Sequence, residues 1–307
     1  MKEVIFMCTA FSWHGRYFGR NLDLEYRYRE AVVNLPRHTP IAYRHLPPDH
    51  SHYAMIGMAT VEEGYPLFYD GMNEYGLCAA GLHFVGNARY FAPVSGKLNL
   101  APYELIPYLL TRCRSIREAR KVLSASVLTD TPFSDALPLS ELHFLVSDRE
   151  GSLVIESGEK GLSVYDAPWE LLTNNPPYPF HERNIEQYRH LSEKEGEEGF
   201  SRGLSAFGLP GDLSSSSRFV RAAFVKEHAC YYQDTARGVG QCFHILSSVK
   251  MVEGCIRLRD GGMPKTVYSA CLDRETLSYH VITYDDPLPL TVRLSREGGM
   301  SECEIFS

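Results

Sequence analysis

Cys8 stands between Met7 and Thr9 at the head of the first apolar run of the chain. A cysteine there serves in one of two ways. It packs as a small buried hydrophobe, or, if the chain is cut after Met7, it carries a thiol and a free α-amine on one residue. Reference pKa values of about 8.5 for a thiol and about 7.7–8.0 for an α-amine let that amine act as a built-in base at neutral pH. Within the nearby run Gly19-Arg20-Asn21-Leu22-Asp23, an arginine and an aspartate lie three positions apart. They form either a surface ion pair or the partners of Cys8, since a guanidinium favours a thiolate and a carboxylate orients an α-ammonium.

The tetrad Thr173-Asn174-Asn175-Pro176 has the composition of a turn. A buried asparagine amide can also donate to a developing oxyanion, and losing one such donor costs about 3–4 kcal/mol of barrier. Arg218 directly follows four serines, in the first turn of an expected helix, where the dipole does not favour a cation. That placement is unusual enough to suggest another use. His45, His50 and His52 are the remaining candidates for chemistry, but they share a proline-rich loop with no nearby cysteine or spaced carboxylate pair, so no metal is expected.

The elements that must hold these residues alternate in kind. Short apolar runs at CTAF, RYFGRNLDL, YAMIGMAT, LFYDGM and LCAAGLHF predict strands in the first third. The loop 37–52 between two of them is an expected exposed excursion. Over 101–124 the apolar spacing changes to three and four residues, which predicts two helices. Strands return at LHFLVSD, LVIES and LSVY, with a hairpin turn at 148–151. The charged stretch 188–203 reads as a solvated loop. Serines 214–217 offer N-caps for a helix burying Phe219, Ala222, Ala223 and Ala229. Another helix is expected around Phe243 to Val249, and the strands TVYSACLD and LSYHVITY follow. This order predicts an α+β fold of packed sheets with helices outside, in a single domain over 1–307.

Of the 307 residues, 44% are hydrophobic and 22% charged, so a large core can form. Lys plus Arg is 31 against 38 for Asp plus Glu, a net charge of −7, with no basic run long enough to track a phosphate backbone. No nucleic-acid partner is expected. The eight cysteines are scattered without a CxxC pair, as expected of reduced thiols in a cytoplasmic protein. No segment reaches the roughly 18 apolar residues of a membrane span, and the N-terminal run is too short for a signal peptide.

The ordered motifs Met7-Cys8-Thr9, FGRNLDLEY, DGMNEYGL, AGLHF, LTNNP, GLPGD and SRFVRAAF resemble the choloylglycine hydrolase family, the bile salt hydrolases and penicillin V acylases of the Ntn-hydrolase superfamily. The resemblance runs nearly end to end. It implies a four-layer αββα sandwich of two antiparallel sheets, cleavage of linear amides, and no cofactor. By this resemblance Cys8 is the nucleophile once residues 1–7 are gone, Arg20 and Asp23 flank it, Asn174 contributes to the oxyanion hole and Arg218 supports the cysteine. The implied substrate is a small-molecule amide, a conjugated bile salt first and a penicillin V or acyl-homoserine lactone second, with transfer of the acyl group to an amine as a variant. A non-catalytic binding protein on the same fold is the alternative of a different class. The position of His83 carries asparagine in bile salt hydrolases and tyrosine in penicillin V acylases, so His83 is either an oxyanion partner or a structural residue. The loop 12–17, which borders the acyl pocket in the family, is short here. Trp13, Tyr17, Tyr65, Phe68 and Phe84 are expected to line the pocket, unless they belong to the core. Family members are often tetramers, which makes a homo-oligomer the expectation.

Overall fold

The computed structural model describes residues 7–194 and 205–305. In chain order the first strands are β1 (Met7–Trp13), β2 (Tyr17–Leu24), β3 (Ala31–Leu35), β4 (Met55–Glu62), β5 (Tyr65–Phe68), β6 (Asp70–Asn73), β7 (Cys78–His83) and β8 (Leu98–Leu100). Helices α1 (Leu105–Arg112) and α2 (Ile116–Ser124) follow, then β9 (Ser126–Leu128), β10 (Leu142–Ser147), β11 (Ser152–Gly158), β12 (Gly161–Asp166) and β13 (Leu171–Leu172). After α3 (Tyr178–Ile185), α4 (Ser215–His228) and α5 (Thr235–Ser247), the strands β14 (Lys265–Asp273), β15 (Ser278–Thr283), β16 (Leu290–Arg293) and β17 (Ser301–Glu304) close the described chain.

Two antiparallel sheets form the centre. One has the order β13-β1-β2-β14-β15-β16, and the other β12-β11-β10-β7-β6-β4-β3-β17, with β5 paired to β4. Strands β8 and β9 form a separate parallel pair. The sheets face each other through β1, β7 and β10; α4 and α5 cover the first and α1 covers the second. This is the expected αββα arrangement. Residues 8, 10, 18 and 22 lie with residues 80, 82, 145 and 154 in one buried apolar cluster. A second cluster joins the outer face of the larger sheet to Leu105, Leu109 and Leu110 of α1. Two faces of a sheet buried in this way need apolar residues at successive positions, and β1 and β2 are buried along nearly their whole length.

The short β6 depends on a close approach to β4. A Cβ on Gly57 would stand 2.1 Å from the Asp70 carbonyl oxygen, so only glycine lets the backbones lie this close. The expected single strand LFYDGM is broken in two at Tyr69, whose N–H turns back to the Met58 carbonyl. Loop 37–52 is less exposed than expected. Ile41 and Tyr43 are buried, and Ile41 bridges Asp49. Helix α4 begins where the serines predict, with Ser214 accepting from the Ser217 N–H, while Ala229 is its C-cap rather than a buried residue of its face. Helix α5 starts at Thr235, well ahead of the expected Phe243, because Asp234 caps it. The expected solvated loop 188–203 falls in part on residues 195–204, outside the described ones. No helix among the described residues is long and apolar enough to cross a membrane.

Candidate active site

In the β1–β2 hairpin, Cys8 is opposite Leu22 and Ala10 is opposite Arg20. Facing residues of paired strands share a side of the sheet, so Cys8 and Arg20 point together into the space between the sheets. Arg20 Nη2 lies 3.3 Å from Cys8 Sγ and 2.7 Å from the Gly81 carbonyl oxygen. Asp23, an odd number of residues along, faces the helix layer instead. Both are fully buried, which rules out a surface ion pair. Thr266 Oγ1 donates to Asp23 Oδ1 at 2.6 Å, while Oδ2 has no partner among the described residues. Burial pushes the Asp23 carboxyl up to about 6 against the pull of Arg218, the Thr266 hydroxyl and Arg20.

The other strand of contacts comes from the C-terminal half. Asn174 Oδ1 accepts from the Cys8 backbone N at 2.7 Å and from Arg218 Nη2 at 2.8 Å. Arg218 Nη1 donates to the Cys8 carbonyl at 2.7 Å and to Thr9 Oγ1 at 2.9 Å. The guanidinium enters from the first turn of α4 and is wholly buried, which explains a cation at a helix start. Asn174 Nδ2 donates to the His83 carbonyl at 2.9 Å, and Asn175 Nδ2 to that of Val85 at 2.5 Å. The turn 173–176, which contains a cis Asn175–Pro176 bond, is thereby tied to the end of β7. Cys8, Arg20, Asn174, Arg218 and the backbone of His83 form one connected group, with Asp23 on its helix side.

A cavity of about 580 Å³ opens beside this group and includes Arg20, Gly81 and His83 in its wall. The rest is mostly apolar, with Leu22, Phe68, Tyr103, Phe133 and Leu142 prominent and Glu62 and Glu141 also present. His83 is partly exposed at this wall. Burial, with Arg20 and His143 nearby, pushes its pKa down to about 3, so the ring is neutral near pH 7.

Of the five aromatic residues expected at the pocket, Phe68 lines this cavity and the others do not. Trp13 and Tyr17 are buried at the hairpin tip in a cluster with His14 and Tyr231. The short loop 12–17 thus packs its aromatics against α4 and its neighbours, and Trp13 Nε1 donates to the Lys226 carbonyl. Tyr65 packs on Tyr103 and Phe133, one layer behind the wall. Phe84 stacks on His143. An aromatic side chain has the same sequence signal in core and pocket, so composition could not separate them. Among the loop histidines, His45 Nε2 meets Thr131 Oγ1 and His52 is buried against backbone carbonyls.

Residues passed over in the sequence complete the setting. Asp70 is fully buried and accepts from Tyr268 at 2.5 Å and Tyr279 at 2.7 Å, with Arg20 Nε 3.9 Å away. It lies nearest Nε of Arg20, while Nη2 contacts Cys8. Its motif was visible in the sequence, but the two tyrosines come from strands 198 and 209 positions later.

Residues 8–299 match the family described as linear amide C–N hydrolases, choloylglycine hydrolase family. The chain is 44% identical to a bile salt hydrolase/transferase of Lactiplantibacillus plantarum, over 95% of this chain and 93% of that one. It is 31% identical to a bile salt hydrolase/transferase of Clostridium perfringens, again over 95% and 93%. A solved variant of the conjugated bile acid hydrolase from Clostridium perfringens superposes with a TM-score of 0.88 at 29% identity, covering 98% of this chain and 97% of that one. A penicillin V acylase from Agrobacterium tumefaciens, at a TM-score of 0.76 and 18% identity over 96% and 90%, shares the fold. Sequence, fold and the match over residues 8–299 agree: the chain belongs to the choloylglycine hydrolase family of linear amide C–N hydrolases.

Proposed function

We propose that the protein hydrolyses conjugated bile salts at the amide between the bile acid and glycine or taurine, with Cys8 as nucleophile. The observation that carries this reading is a cysteine clamped by Arg20, Arg218 and Asn174, with Arg20 also in the wall of an apolar cavity of about 580 Å³. Cavities for compact organic ligands span roughly 300–1,000 Å³. The names of the relatives supply the acyl group.

In this reading the Cys8 sulfur adds to the amide carbonyl carbon. Its proton passes to the α-amine of the same residue and from there to the leaving nitrogen as the C–N bond breaks. The amine departs and leaves a thioester on Cys8. Water then attacks the thioester, the α-amine takes its proton, and the sulfur leaves with a proton returned. One of the two Asn174 Nδ2 hydrogens is engaged by His83, and the second serves the oxyanion in each step. Arg20 steadies the sulfur as it gains charge. Asp23, with Oδ2 open, accepts from the α-ammonium and holds it toward the thiol. An α-amine exists only when Cys8 begins the chain, so the reading includes loss of residues 1–7. It also takes the described fold as one unit acting in a reducing, cytoplasmic setting, which suits eight free cysteines.

The test is incubation of purified protein with an equimolar mixture of glycine- and taurine-conjugated bile salts and penicillin V, with products identified by mass spectrometry. Free bile acid is expected, and Cys8→Ala should abolish it without loss of fold. Phenoxyacetic acid as the only product would overturn the bile-salt reading in favour of a penicillin-type acylase.

A further inference from the structure

Asn174 sits in an irregular segment between β13 and α3, so its side chain is only as well placed as its backbone. Its N–H donates to Ser215 Oγ at 2.8 Å. On the carbonyl side, two buried histidines hold consecutive residues. His143 Nε2 lies 3.0 Å from the Thr173 carbonyl oxygen, and His181 Nε2 lies 2.8 Å from that of Asn174.

The two rings cannot carry the same protons. At His181 one nitrogen meets an acceptor, and Nδ1 has no partner among the described residues. A neutral ring with hydrogen on Nε2 satisfies that setting. Burial, with His143 and Arg218 adding to it, pushes its pKa down to about 4. At His143 both nitrogens face oxygens, for Nδ1 is 3.2 Å from Glu156 Oε1. A neutral imidazole has one N–H and one lone pair, so it would set a lone pair against either the carboxylate or the carbonyl. Glu156 Oε1 also accepts from the Tyr178 N–H at 2.8 Å, which occupies that oxygen as an acceptor. The doubly protonated ring places a hydrogen in both contacts. The Phe84 ring lies flat on it, 4.5 Å away at 9°, where a π-face favours a cation. The titratable groups facing His143 are Glu156 from β11, His83 from β7 and His181 from α3.

We propose that His143 is a buried imidazolium, paired with Glu156, that positions Asn174 through the Thr173 carbonyl, while neutral His181 fixes the next carbonyl. Its consequence for turnover rests on the reading of Asn174 as an oxyanion donor; the charge on His143 does not. His143 and Glu156 are positioning residues, since neither belongs to the cavity wall.

Glu156→Gln is the informative change. Its side-chain oxygen can still accept from Tyr178 and from His143 Nδ1, but nothing then holds the second proton, and Nε2 turns a lone pair toward Thr173. In protein labelled with ¹⁵N-histidine, the His143 signals, assigned by their loss in His143→Gln and checked by their shift in Glu156→Gln, should show two protonated nitrogens. Glu156→Gln should remove one of them, and Glu156→Asp, which keeps the charge, should retain both. The Asn174 side-chain amide signal should move in Glu156→Gln whether or not any substrate is turned over. For a glycine-conjugated bile salt, the kcat of Glu156→Gln as a fraction of that of the unaltered protein should fall on the order of tenfold at about pH 8 and recover toward about pH 5.5, with KM unchanged. A neutral His143 in the unaltered protein overturns the imidazolium. A kcat loss equal at every pH, or an unmoved Asn174 amide, overturns the positioning role. If the unaltered protein cleaves no bile salt, the proposed function fails, and the nitrogen and amide signals still decide this proposal.

Discussion

Asn174 Oδ1 receives two hydrogen bonds at once, from the Cys8 backbone nitrogen at 2.7 Å and from Arg218 Nη2 at 2.8 Å. The amide is thereby oriented, because only its oxygen can accept from both. Its NH₂ group must then point toward the end of β7. Arg218 so sets the direction of Asn174 as well as holding the Cys8 carbonyl.

Replacing Arg218 tests this directly. Arg218→Ala leaves three buried acceptors short of a donor, and each unsatisfied buried group costs about 1–3 kcal/mol. We expect a clear drop in unfolding midpoint. Arg218→Lys keeps the charge without the fork that reaches Cys8, Thr9 and Asn174 together. It should recover most of the stability while kcat stays down by about tenfold or more. Denaturant melts and steady-state kinetics on the two variants separate these effects, and equal recovery of both quantities would contradict the orienting role.

Arg20 should matter to the thiol rather than to the fold of the pocket. It contacts both Cys8 Sγ and the Gly81 carbonyl, so Arg20→Gln keeps a donor and removes the charge. The rate of Cys8 alkylation by iodoacetamide at pH 7 is expected to fall on the order of tenfold. An unchanged rate would mean that the guanidinium acts on structure alone.

Asp23 links acidity to folding with a definite sign. Its folded carboxyl titrates at about 6 against an ordinary 3.8, because burial outweighs its partners. Between those values the folded chain holds a proton that the unfolded chain has released, so this group's contribution to stability falls as pH rises through that window. Asp23→Asn should therefore gain on the unaltered chain between pH 4 and pH 7, by on the order of 3 kcal/mol. Activity should move the other way and need the ionised form. Urea melts at the two pH values, made on the Cys8→Ala chain with residues 1–7 retained, avoid interference from an α-ammonium.

His83 behaves oppositely. Its folded pKa of about 3 lies below the usual 6.5, so the unfolded chain binds its proton first as pH falls. Stability from this residue is complete above pH 6.5 and declines toward pH 3. His83→Asn should flatten that decline. Because the ring is in the cavity wall, the same change should also alter the ratio of kcat/KM for a bile salt to that for penicillin V, by on the order of tenfold. A constant ratio would mark His83 as a residue of the fold alone.

Packed sheets with helices outside could be read from apolar runs and the order of the elements, while the four-layer αββα sandwich was implied only by the family resemblance; the central strand β2 itself mixes apolar residues with Arg20, Asn21 and Asp23. The misses have physical causes. Strands β3, β16 and β17 meet at the margins of the sheets, and β16 and β17 are largely exposed, so neither shows a strong apolar pattern. The early start of α5 is masked by Gly238, which reads as a breaker. A Cβ there would fall 2.0 Å from the Tyr17 hydroxyl, so tertiary packing demands the glycine that propensity disfavours. At the site, Arg218 stood out because a cation conflicts with the start of a helix, whereas Cys8, Arg20 and Asn174 each suited an ordinary local reading and were singled out by the chemistry they could do together and by the ordered family motifs. His143 and Glu156 fit their strands and nothing local marked them, while Asp70 opens a family motif but its tyrosine partners lie on distant strands, so its role was not legible.

The pairing of β2 with β14 also governs the order of events during synthesis. The strand that presents Arg20 and Asp23 has β1 on one side, and its other edge stays open until residues 265–273 have left the ribosome. An unpaired central edge is a template for aggregation. A ribosome that stalls before those residues would release a chain whose reactive hairpin is already made but has no neighbour, and such a fragment is a natural client for chaperones and proteases.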